Sequence, residues 1–145
     1  MDHEKYLTNR VNNQIIWYNK KSRRNKAHYY ILRSIEIIAA AIIPFLSGNF
    51  TGETTDLRIY VGILGVIIII ITAIISLFQF QENWISYRTT SETLKHEKNL
   101  FLTKVEPYNI ENHFSLFVQR VESLISKENT NWFQYIKPKK ELKNG

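Results

Sequence analysis

Arg33 and Glu36 are the residues whose placement most invites chemistry. They interrupt an otherwise apolar stretch and share one helical stripe with Ala40, Pro44 and Ser47, each three or four residues after the last. Ionisable groups in such surroundings face protein or water rather than lipid, and they mark an ion path or a binding site by default. A ring of Glu36 carboxylates from several copies would favour cations, with Arg33 drawn aside to the interface, and the inverted arrangement would favour anions. A plainer reading stands beside it: the two side chains pair near a membrane surface and reach toward water.

Elsewhere the chemistry is sparse. The histidines at positions 3, 28, 96 and 113 show no metal-ligand spacing, and the chain has no cysteine. No phosphate loop, nucleophile elbow or metalloprotease pair is present. The sequence therefore leads us to expect no enzyme, no catalytic residue, no metal and no cofactor. Glu92 and Glu97 have basic neighbours in Arg88 and Lys95, a pattern suited to locking helices together rather than to acid–base work. Trp84, Tyr87, Glu122 and Trp132 join them as candidates for a network in the polar part of the chain.

The elements that must position these residues are helices. Ile59 to Phe78 is an uncharged run with Val66–Ile71 unbroken, and 20 residues rise about 30 Å, the thickness of the hydrocarbon layer. A buried strand would be shorter, and a soluble helix would show a polar face. Tyr29 to Leu46 is a weaker second candidate, wholly apolar from Ile37 onward, with Pro44 near its end, where a lost hydrogen bond costs little. In the later span Gly62, Gly65, Thr72 and Ser76 make a stripe of small or weakly polar residues suited to close helix packing in lipid. The expected fold is an all-α membrane protein: a two-span transmembrane helical hairpin with long cytoplasmic helical extensions and a C-terminal amphipathic helix. The divisions are a cytoplasmic N-terminal helix at 1–28, a first span at 29–47, an external loop at 48–57 and a second span at 58–80. A cytoplasmic helical region follows at 81–136, with a basic tail at 137–145.

Orientation follows from charge. The net charge is +6, and 17 of the 19 Lys and Arg lie outside residues 29–80, with Lys20 to Lys26 especially dense. The connecting loop offers Glu53 and Asp56 instead, so both termini are expected in the cytoplasm of a multi-pass inner-membrane protein. The sequon Asn49-Phe50-Thr51 would lie on the outer side. Leu7, Val11, Ile15 and Tyr18 give the N-terminal arm a short apolar face. Pro107 ends the helix that continues the second span, and Asn109 is the expected cap of a last helix with Ile110, Phe114, Phe117, Val118, Val121, Leu124 and Ile125 on one side. Two helices cannot hide the Arg33–Glu36 stripe from every direction, so a homo-oligomer with that stripe inward is expected. Its partners would be further copies of itself, membrane lipids and ions, with no nucleic acid.

A set of spaced motifs covers nearly the whole chain. It comprises Trp17-Tyr18, Pro44, Trp84-x-x-Tyr87-Arg88, Glu92-x-Leu94-Lys95-x-Glu97, Pro107-Tyr108, Phe117-Val118, Val121-Glu122, Ile125-Ser126, Glu128 and Trp132. The pattern resembles the SLATT domains, the SMODS- and SLOG-associating two-transmembrane effectors, a family of small two-span bacterial proteins. That resemblance implies a pore-forming membrane effector in conflict systems, triggered by a nucleotide signal or by a regulatory partner domain. The expected function is thus a homo-oligomeric ion channel or pore lined by the first span. The alternative is a non-conducting anchor or adaptor whose cytoplasmic bundle recruits a partner. A small transporter ranks below both, since neither span is broken at its middle.

Overall fold

A computed structural model describes the backbone of residues 2–48 and 55–136 and the side chains of 2–48 and 58–127. The described elements are all helical: α1 (His3–Tyr6), a π-helical segment (Leu7–Asn12), α2 (Asn13–Gly48), α3 (Thr55–Phe78), α4 (Phe80–Thr103) and α5 (His113–Ile136). They form two compact units, one of residues 1–21 with 86–145 and the other of residues 22–85. The loop sequon, Glu53 and the basic tail lie outside the described residues, and Asp56, Glu128 and Trp132 lie outside the described side chains.

The unit of residues 1–21 and 86–145 has an aromatic core. Tyr6, Val11, Ile15 and Tyr18 from the N-terminal arm are buried with Leu94 and Phe101 of α4, Tyr108, and Phe117, Val121 and Ile125 of α5. Phe101 stacks on Phe117 at 4.3 Å, and Tyr108 and Tyr6 meet the Phe117 ring edge-on at 5.9 and 6.2 Å. Each such side chain contributes about 1.5–3 kcal/mol when fully buried. The π-helical segment explains how Tyr6 and Val11, five residues apart, both reach this core. A π turn holds one more residue than an α turn, so the fifth residue returns to the same face.

Helix ends depart from the sequence expectation at Gln79 and at the start of the last helix, while α4 ends in the stretch before Pro107, as expected. The long helix after Ile59 is interrupted at Gln79, whose φ of 46° ends α3. Gln79 N–H donates to the Ile75 carbonyl at 3.1 Å, the Asn83 side-chain amide covers the Phe78 carbonyl at 2.9 Å, and Asn83 N–H returns to the Gln79 carbonyl at 3.0 Å. The break is thus capped from both sides, at a left-handed cost of roughly 1–2 kcal/mol for a residue with a Cβ. At the other end α4 stops at Thr103, before Pro107. Lys104 takes φ 52°, with Lys104 N–H on Phe101 O and Val105 N–H on Leu100 O, both at 3.3 Å, a Schellman closure built without glycine. The last helix opens at His113, not beside Asn109, and its first turn is closed by Leu116 N–H on the Asn112 carbonyl at 3.2 Å. Ile110 consequently falls outside the helix and is half-exposed.

Among its described residues, the unit of residues 22–85 has almost no interior. Two stretches, His3–Gly48 and Arg58–Thr103, are long and apolar enough to cross a membrane, and 6% of the most apolar 18-residue window of each is buried. A soluble core helix of that composition would be mostly covered; here Ile37, Ile38, Phe45, Ile69 and Leu77 are all exposed. Along residues 30–48 of α2 the covered positions are Leu32, Glu36, Ala39, Ile43 and Leu46, and along α3 they are Val61, Leu64, Gly65, Ile68, Ile71, Ile74 and Ile75, both at helical spacing.

Candidate functional site

The covered face of α2 and the stripe expected to line a path coincide at one residue, Glu36. Its side chain is 13% exposed, against 51% for Arg33, and Ala40, Pro44 and Ser47 are exposed. Arg33 Nη1 reaches Glu36 Oε2 at 2.7 Å, one helical turn away, while Thr72 Oγ1 of α3 lies 2.8 Å from Glu36 Oε1 and 2.9 Å from its own Ile68 carbonyl. Arg33 and Glu36 therefore pair within one chain. Both carboxylate oxygens are engaged, and the pair ties α2 to α3 among isoleucines. Near the end of α2, Pro44 removes one backbone donor, and Ser47 Oγ caps the Ile43 carbonyl at 2.9 Å.

In the small-residue stripe of α3, Gly65 is partly covered and Thr72 reaches Glu36. Gly62, Thr72 and Ser76 are exposed, and a Cβ placed on Gly62 or Gly65 would meet nothing within 4 Å. The hairpin is closed by larger side chains, Ile71 foremost, on a neighbouring face. Gly62, Thr72 and Ser76 and the Arg33, Ala40, Pro44 and Ser47 face are thus exposed among the described residues.

Polar residues of the other unit resolve into separate clusters rather than one network. Glu97 is 6% exposed and accepts from Arg120 Nε at 3.0 Å, Arg120 Nη2 at 2.6 Å and the Tyr108 hydroxyl. Burial pushes the Glu97 carboxyl up, but donation from Arg120 and Tyr108 outweighs it and holds the carboxyl below its ordinary range. Burial, then Glu97, raise the Tyr108 phenol. Glu122 is held by a fork from Arg10, Nε at 2.9 Å and Nη2 at 2.8 Å, and by the Tyr6 hydroxyl at 3.0 Å. Arg10 is the leading cause of its lowered pKa, with Tyr6 adding to it. Arg88, Glu92 and Lys95 form an exposed ladder along α4, with both cations 2.9 Å from Glu92. Lys95 is the leading cause of the lowered Glu92 pKa. Tyr87 lies against Trp17 and Tyr18, with ring centroids at 5.9 and 6.1 Å. Trp84 belongs to the other unit, where its carbonyl accepts from Ser22 Oγ at 2.9 Å.

Sequence reasoning singled out Glu97 and Glu122, and Tyr108 as part of a spaced motif, but not the partners Tyr6, Arg10 and Arg120, nor the links Ser91–Asn19 at 2.9 Å and Lys98–Asn12 at 2.8 Å. Arg10 and Glu122 stand 112 positions apart, and only packing reveals such a pair. The acid at position 122, flanked by the buried Val121, was the available signal. Among the described residues no group of three or more His, Cys, Asp or Glu could hold a metal ion.

Residues 13–115 match the model of a family described as protein of unknown function, DUF4231. That match covers most of the chain, both apolar helices and the Trp84 to Glu97 block, and the chain belongs to this family. Neither a curated protein nor a solved structure matches it.

Proposed function

We propose that this DUF4231 member is a homo-oligomeric, pore-forming membrane protein. Each chain crosses the bilayer twice, both termini stand in the cytoplasm, and the first span lines an ion path. The observation that carries this reading is the uncovered polar face of α2. A single hairpin leaves half of Arg33 exposed beside Ala40, Pro44 and Ser47, in a unit otherwise clothed in isoleucine. Charge in that setting calls for protein or water on its open side, and further copies of the hairpin supply both. The open stripe of Gly62, Thr72 and Ser76 gives such copies a surface for close approach.

Cation preference follows where the Glu36 carboxylates turn from their Arg33 and Thr72 partners to ring the path, with Arg33 drawn toward the headgroups. The test is the reversal potential of purified protein in planar bilayers under a salt gradient. Glu36→Gln shifts it toward zero in this reading, whereas Arg33→Gln leaves it cation-selective. An unchanged potential in Glu36→Gln removes the selectivity role, and electrically silent bilayers holding intact oligomer remove the pore. The resemblance to SLATT effectors points toward the same class of activity, with a regulatory partner acting through the cytoplasmic helices.

One feature favours the second reading, a non-conducting adaptor. Arg10, Asn13, Gln14, Trp17, Tyr18 and Ile125 line an open groove of about 440 Å³ in the aromatic unit, and the adjacent Ile16 is exposed. A partner helix with an apolar anchor suits such a groove. Silent bilayers together with saturable capture of one cytoplasmic partner would favour it.

A further inference from the structure

Trp84 Nε1 is the one buried side-chain nitrogen or oxygen lacking a hydrogen-bond partner among the described residues. Buried donors are rarely left unmade, and each exception asks for an acceptor from outside the chain. What lies over this indole is a cation. Lys26 Nζ stands 5.4 Å from the Trp84 ring centroid and 5.8 Å from that of Tyr30. The helices here are fastened on both sides of the ring, by Ser22 Oγ on the Trp84 carbonyl at 2.9 Å and by His28 against Phe80 at 5.6 Å. Arg23 and Arg24 are exposed on the preceding turn; of acids in the two segments 22–35 and 79–85, Glu82 alone is present, and it is exposed.

We infer that Lys26 and Trp84 Nε1 form a binding site for the phosphate of an anionic phospholipid headgroup. The long, flexible Lys26 side chain swings off the ring, its ammonium pairs with one phosphate oxygen, and the unpartnered indole N–H, opened by that movement, donates to another. Tyr30, Ile31 and Phe78 are exposed on the apolar side of this site, which offers acyl chains a surface that a soluble phosphate would not use. Trp and Tyr beside Lys and Arg are also the residues suited to headgroup depth. The site rests on the proposal that residues 22–85 span a bilayer.

The test is native mass spectrometry of full-length protein released from micelles doped with equal phosphatidylglycerol and an uncharged, phosphate-free galactosyl diacylglycerol. Wild type retains the anionic lipid about tenfold over the uncharged one, the scale of one charge-assisted contact. Trp84→Phe keeps the ring and loses the N–H, and Lys26→Gln loses the charge; both abolish the preference. Lys26→Arg restores it, and Arg58→Gln at the opposite end of α3 leaves it intact. Circular dichroism of each variant confirms that helix content is kept, and added inorganic phosphate at millimolar concentration does not displace the lipid. Retention of both lipids without preference, or an unchanged preference in Trp84→Phe and Lys26→Gln, overturns the site while leaving the hairpin standing. Displacement by inorganic phosphate overturns the lipid as its ligand. A chain that stays dispersed without detergent and takes up neither lipid overturns the spanning proposal, and the site with it.

Discussion

The two units of this chain are both helical, yet they solve opposite problems. Residues 1–21 with 86–145 bury Tyr18, Tyr108, Phe117, Leu94, Val11 and Val121 almost completely, as water demands of apolar side chains. Residues 22–85 bury Ala39 and Ile71 as their only hydrophobic residues among those described, and turn isoleucine outward. A run of isoleucine so placed is stable where the surroundings are themselves apolar. Polar groups invert in the same way. In the first unit Glu97 is enclosed and Glu122 is held by a cation and a phenol, while in the second Arg33 and Glu36 satisfy each other and leave a charged face open.

The largest expected separation between the units comes from truncating their apolar side chains. Phe117→Ala, at the centre of the aromatic core, should destabilise the unit of residues 1–21 and 86–145 by about 3–5 kcal/mol. Ile69→Ala, on a side chain 69% exposed, should leave the midpoint of unfolding in detergent unchanged. Denaturant titration followed by near-UV circular dichroism compares them, and equal losses would erase the distinction.

Breaking the Glu97 cluster should have the next largest effect. Removing its hydrogen bonds to a charged partner costs about 1.5–3 kcal/mol, and Glu97→Ala leaves Arg120 and Tyr108 without their shared acceptor. This cluster also makes stability depend on pH. The folded Glu97 and Glu122 carboxyls lie below their unfolded value, so their contribution is complete above the ordinary carboxylate range and is lost as pH falls through the folded values. Tyr108 and Tyr6 are raised instead, so what they contribute is complete below the ordinary phenol value and is lost as pH rises through the folded ones. Thermal melts across pH should therefore show a plateau at neutrality with an acid fall, and Glu97→Gln should reduce that fall.

A smaller effect is expected from Thr72→Val, which removes the tie between α3 and Glu36 and keeps the side chain's shape. It should loosen the hairpin, read as faster amide exchange around Glu36 in micelles, with helix content unchanged. Least of all should follow from Glu92→Gln on the exposed α4 ladder, where solvent screening leaves the pair with Arg88 and Lys95 little weight. A melting temperature within experimental scatter of wild type is the expected result.

Much of this contrast was legible in the residues. The uncharged run Ile59–Phe78 announced a helix that needs no polar face, and the spacing of Phe117, Val121 and Ile125 marked positions that the structure buries. What escaped reading were features that have no local signature. Gln79 takes left-handed backbone without glycine, so nothing in the sequence marked that break, and at the end of α4 Pro107 announced a stop but not the left-handed Lys104 that makes it. The π turn that brings Tyr6 and Val11 to one face is likewise silent in a pattern read at 3.6 residues per turn. Glu97 and Glu122 stood out as acids, whereas their partners Arg120 and Arg10 looked like surface cations until the helices were packed. The stripe of Gly62 and Gly65 was visible, but what it faces has no signature in its spacing.

Because the chain has no cysteine, a single label can be placed anywhere without background, and that permits the most direct test of the proposed bilayer span. Spin labels at Ile69→Cys and Leu77→Cys in reconstituted liposomes should be reached readily by molecular oxygen and poorly by a water-soluble nickel chelate, with the oxygen bias greater at position 69. A label at position 69 reached by the nickel chelate as easily as by oxygen would mean that water, not lipid, surrounds the isoleucine surface, and the membrane-spanning hairpin would have to be abandoned.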